Sequence, residues 1–89
     1  MNLTSDQRAT VEVARALWRE GALPSMIFRA VARRGHRGVI ELMLIGREAF
    51  GLDLRDLKEG TLYVDRESLE PLPTFDAYFL PLIGRSAPR

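Results

Sequence analysis

The chain contains no cysteine, which excludes disulfide staples, thiolate metal sites and a cysteine nucleophile together. Histidine occurs once, at His36, and lysine once, at Lys58. No G-x-x-x-x-G-K-[ST] or G-x-G-x-x-G appears, and "GHRG" (Gly35 to Gly38) is only a glycine-bounded turn, so no phosphate cradle is expected. The longest apolar run, Val39 to Ile45, is seven residues interrupted by Glu41, against about 20 needed to span a bilayer. The first ten residues, "MNLTSDQRAT", have neither a basic start nor an apolar block, so no secretory signal is expected and the cytoplasm is the expected compartment.

What is present is an ordinary folding composition. Hydrophobic residues make up 46% and charged residues 28% of 89 residues, which suits one globular domain burying ~60–65% of its unfolded surface. Residues 1–84 are expected to form a single small helical domain, with 85–89 as a flexible tail. A net charge of +1 hides a local asymmetry, because Arg29, Arg33, Arg34 and Arg37 lie between Gly21 and Ile40 with no acid among them.

Periodicity and punctuation predict three main helices and a short fourth. T-x-x-Q at Thr4 to Gln7 is a capping box opening the first helix, whose apolar stripe is Ala9, Val13, Ala16 and Leu17, broadened by Val11, Ala14 and Trp18; Gly21 stops it. Pro24 or Ser25 opens a second helix through Arg34, since proline fits a first turn, with Met26, Ile27, Ala30 and Val31 inward. Gly35 ends that helix. The third, Val39 to Phe50, is apolar nearly all round and is expected to be central; Gly46 within it implies close packing of a neighbour. Asp53 caps the fourth, Leu54 to Glu59, before Gly60.

Beyond Gly60 the alternation in "TLYVD" and "ESLEPL" predicts a β-hairpin or extended segment. Pro71, Pro73, Pro81 and Pro88 then limit regular structure to a helical turn at about Thr74 to Phe79, leaving an extended C-terminal strap. The expected fold class is therefore mainly α: a three-helix bundle with a short fourth helix, a hairpin and an extended C-terminal segment.

Two surfaces stand out. Arg29, Arg33, Arg34, His36 and Arg37 crowd the end of the second helix, where the helix dipole favours cations by roughly 0.3–1 kcal/mol each; the same residues could contact phosphates or an acidic partner. A helix-turn-helix comparison fails on chemistry, because the third helix turns outward only Glu41, Arg47 and Glu48, which cannot read bases. The second surface is "PLPTFDAYFLPLIG", where Phe75, Tyr78, Phe79 and Leu82 either close the core or dock on a protein partner. A central helix apolar on all sides in so short a chain favours a homodimer that would cover it.

Catalysis has little to work with. His36 is expected in an exposed turn with no carboxylate beside it in sequence, and Asp53, Asp56 and Glu59 read as capping and surface charges. No metal-ligand spacing occurs. The chain is expected not to be an enzyme and to use no cofactor or metal. The leading expectation is a small non-catalytic protein-interaction module that self-associates, and the competing one a nucleic-acid-binding regulator using the basic cluster.

One segment, "REAFGLDLRDLK" from Arg47 to Lys58, resembles the helix, Gly-Leu-x-Leu, helix junction in the C-terminal domain of the bacterial ribosomal stalk protein. The resemblance implies factor recruitment through a small α/β domain. It covers twelve of the 89 residues, and neither the helices before it nor "GTLYVDRESLEPLP" after it continue in that family's manner.

Overall fold

Helix α1, Ser5–Arg19, begins as the capping box requires: Gln7 N donates to Thr4 Oγ1 at 3.1 Å and Thr4 N to Gln7 Oε1 at 2.9 Å. In this computed structural model, residues 3–36, 38–61 and 72–88 are described. Helix α2, Pro24–Arg33, places proline in its first turn, and α3, Val39–Phe50, ends at Gly51. Gly51 adopts φ +67° and sends its N–H to Arg47 O at 2.8 Å, the left-handed cap that glycine enters without strain. Helix α4, Leu54–Thr61, starts with Asp53 Oδ1 accepting from Arg55 N at 2.9 Å and carries Gly60 inside it. The last helix, α5, is Pro73–Ser86.

Helix α3 is central, packing against α1, α2 and α4, while α5 closes over α2 and α4. Trp18 and Phe50 join α1 to α3 edge to face at 6.1 Å, and Phe28 sits between Phe75 at 5.5 Å and Phe79 at 5.4 Å. Close packing explains Gly46: a Cβ there would lie 2.8 Å from Leu57 Cδ2 and 3.2 Å from Phe28 Cζ.

The expected β-hairpin is not supported. No strand occurs among the described residues, and Thr61, its first expected residue, ends α4; residues 62–71, where the rest would fall, lie outside the described residues. The extended C-terminal strap is also overturned, because Pro73 to Ser86 forms a helix that includes Pro81. Proline 81 lacks the N–H that would pair with Ala77 O, but both residues are exposed, so water can serve that carbonyl. On the other face Phe75, Phe79 and Ile83 are buried. Three such side chains at about 1.5–3 kcal/mol each outweigh the roughly 3 kcal/mol of an interior proline. Arg85 and Ser86, expected in the tail, are the last turn of this helix, and Ala87 O accepts from Trp18 Nε1 at 2.6 Å.

The buried face of α1 is Thr10, Val11, Ala14 and Trp18, rotated from the expected stripe: Ala9 is exposed and Val13, Ala16 and Leu17 are half-buried. Thr10 is what hydrophobicity alone misplaces. Its hydroxyl donates to Asp6 O at 3.0 Å and accepts from Arg34 Nε at 2.9 Å, so a polar residue is satisfied inside. On α2, Phe28 and Ala32 are buried where Met26 and Ala30 were expected.

Candidate functional site at the corner between the second and third helices

Helix α2 gives way at Arg34, and Gly35 turns the chain with φ +101°. His36 follows, and instead of lying exposed it is 6% accessible. Its Nδ1 is 2.7 Å from Glu41 Oε2, one turn into α3, and its Nε2 is 3.0 Å from Asp6 Oδ2 in the first turn of α1. The first contact is a well-formed hydrogen bond; the second has ion-pair distance but poor alignment, leaving Nε2 buried without a directed hydrogen bond. Gln7 Nε2 also donates to Glu41 Oε2, at 3.4 Å. The carboxyl of Glu41 is held below its usual range, chiefly by its hydrogen bond with His36, then by that with Gln7. The sequence hid this constellation because Asp6 is thirty positions from His36.

The arginines expected to form one patch are separated. Arg33 and Arg34 are exposed at the end of α2, the latter reaching Thr10. Arg29 is 1% exposed, its Nη1 3.9 Å from Met26 Sδ, so it is not on the surface with Arg33. Arg37 lies outside the described residues.

Among the C-terminal residues, Phe75 and Phe79 are buried, Tyr78 and Leu82 half-buried. Tyr78 donates its hydroxyl proton to Asp56 O at 3.1 Å. The decisive residue in this segment is one that hydrophobicity passed over. Buried Asp76 accepts from Ser25 N at 2.7 Å on Oδ1 and from Ser25 Oγ at 2.9 Å on Oδ2. Helix α2 has Leu23 at its N-cap with no side-chain cap of its own, so α5 supplies the acceptor from 51 residues away. The missing cap before Pro24 was the sequence signal that an acceptor must arrive from elsewhere.

A shallow groove of about 200 Å³ lies away from the corner, between Trp18, Arg19, Phe50 and Ala87. Its other cation, Arg15, is engaged with Glu12 Oε1 at 2.7 Å, Glu48 O at 2.7 Å and Ala49 O at 3.2 Å. Among the described residues no group of three His, Asp or Glu side chains could hold a metal ion, and no helix is long and apolar enough to cross a membrane.

No protein-family model, curated protein or solved structure matches the chain. The junction that resembles the ribosomal stalk protein is a helix, cap, helix corner with Leu52 buried and Leu54 39% exposed. Without a strand among the described residues, the α/β domain it implies is not present there.

At the corner, then, a short turn brings two carboxylates, Asp6 from α1 and Glu41 from α3, to one ring. Both ring nitrogens face carboxylates, so the ring lies between the first turn of α1 and the start of α3. Beside it stands Ile40, 71% exposed.

Proposed function

We propose that this chain is a small, non-catalytic protein-interaction module of the adaptor, regulator or inhibitor kind, working in the cytoplasm and self-associating through the surface at the start of α3. The observation that carries this reading is Ile40, the most exposed large apolar side chain among the described residues at 71%. Closure of Phe75, Phe79 and Ile83 into the core moves the apolar surplus from the C-terminal segment to this corner. Arg33 and Arg34, exposed nearby in the chain, supply a polar rim. One buried isoleucine contributes about 1.5–3 kcal/mol, against about 8 kcal/mol for a micromolar complex, so neighbouring contacts must supply most of the affinity. The competing nucleic-acid reading has less charge to draw on, since Arg29 is inside and the carboxylates of Asp6 and Glu41 flank the turn.

Sedimentation velocity over the micromolar range tests the proposal. The wild-type chain is expected to shift from monomer to dimer with concentration, and Ile40→Glu to remain monomeric with an unchanged melting temperature. A wild-type chain that stays monomeric throughout defeats self-association at this surface. Tight, steeply salt-dependent binding to duplex DNA or RNA, lost in Arg33→Ala with Arg34→Ala, would favour the nucleic-acid reading instead.

A further inference from the structure

We infer that His36 is a pH-dependent latch, whose doubly protonated ring ties the first turn of α1 to the α2–α3 corner and lets it go when one ring proton leaves. The argument begins with donors and acceptors. A neutral imidazole has one N–H and one lone pair, whereas an ionised carboxylate only accepts. Here Nδ1 faces Glu41 Oε2 at 2.7 Å and Nε2 faces Asp6 Oδ2 at 3.0 Å, with 7% of the side chain exposed. Only the imidazolium, with a proton on each nitrogen, turns a positive N–H toward both carboxylates, as a hydrogen bond to Glu41 and as an ion pair to Asp6. A neutral ring would set a lone pair against one carboxylate in a site that water barely reaches.

The two contacts are unequal, and this decides which one yields. Glu41 is aligned with Nδ1 and braced by Gln7. Asp6 is 67% exposed and its approach to Nε2 is misaligned. Loss of a proton to water therefore takes it from Nε2, keeps Nδ1–H on Glu41, and leaves Asp6 Oδ2 facing a lone pair. The Asp6 side chain then swings into solvent, where its charge is hydrated. The charged groups around the ring are Asp6 from α1 and Glu41 from α3; from α2 the nearby cations are exposed Arg33 and Arg34, the latter bonded to Thr10 Oγ1. Arg37, next in the chain, lies outside the described residues. Because Arg34 holds α1 one turn further along, release is confined to the first turn and does not undock the helix. The device is independent of which partner the neighbouring surface takes.

Nitrogen-15 NMR of the ring tests this directly, since the chain has one histidine and its signals need no assignment among others. As pH is raised, the ring is expected to pass from doubly protonated to the Nδ1–H tautomer. Amide shifts of Asp6 to Thr10 should follow the same curve, and the exchange protection of the hydrogen-bonded amides from Gln7 to Thr10, corrected for intrinsic rates, should fall about two- to fivefold, the scale of one partly exposed ion pair. In Asp6→Ala the ring should still titrate while those amides no longer respond. A ring that is never doubly protonated in the folded chain overturns the latch, as does a neutral ring protonated at Nε2. A response of the α1 amides that persists unchanged in Asp6→Ala would also overturn it.

Discussion

Replacing Asp76 by alanine should be among the most damaging single changes in this chain, although nothing in its local sequence marks it out. Its carboxylate accepts from Ser25 N at 2.7 Å and Ser25 Oγ at 2.9 Å, and both residues are buried. Alanine removes both acceptors and leaves two donors with no replacement nearby, each worth about 1–3 kcal/mol when stranded. It also removes the anion from the N-terminus of α2, about 0.3–1 kcal/mol more. Partial access of water to the vacated space offsets some of this, giving an expected loss of about 2–4 kcal/mol. A chain of 89 residues has total stability of about 4–13 kcal/mol, so at least about a sixth of it is at stake. Urea denaturation followed by far-UV circular dichroism reads the loss directly. Ser25→Ala keeps the backbone N–H bond and should cost less, and the double mutant should show coupling of about 0.5–3 kcal/mol. An Asp76→Ala penalty below about 0.5 kcal/mol, the range of an ordinary surface change, would refute the claim that α5 caps α2.

Two further outcomes follow from single contacts. Gly46→Ala gains up to about 1 kcal/mol of helix propensity but forces a Cβ to 2.8 Å from Leu57 Cδ2, in a core where Leu57 and Phe28 are fully buried; overpacking of about 1–3 kcal/mol should win, and a raised melting temperature would contradict the close approach. The depressed carboxyl of Glu41 contributes stability that is present above its ordinary value of 4.5 and disappears as pH falls through its lower folded value. Acid titration of stability should therefore show Glu41→Gln less stable than wild type near neutrality and converging with it in acid, and a constant difference at every pH would show that the ionised carboxylate is not what matters.

Local chemistry was the legible part. The capping box at Thr4, proline in the first turn of α2, the span from Val39 to Phe50 and the left-handed stop at Gly51 each depend on residues within a turn of one another, and each is where the sequence places it. Gly46 also announced a close neighbour, though not which one. The rule that failed was equally local: prolines in the C-terminal segment argued against a helix, yet the buried face of Phe75, Phe79 and Ile83 formed one with Pro81 turned to solvent.

For the candidate site the division is sharper. That a lone histidine and a cluster of arginines end the second helix is plain from the sequence, and their charge there follows from the helix dipole. Which of them are outside is not, because burial depends on what the rest of the chain lays over them. Arg29 points inward while Arg33 points out, and His36 is enclosed by Asp6, brought from α1, and by Glu41. The sequence by itself determined the start of α1, the opening of α2 and the bounds of α3, since capping and turn preferences act within a few residues, but not the ends of α4, which runs through Gly60, or of α5. Only the tertiary structure decided that Asp76 caps α2 and that one imidazole meets two carboxylates, because polar contacts between distant residues exist only once packing has brought their groups within about 3 Å.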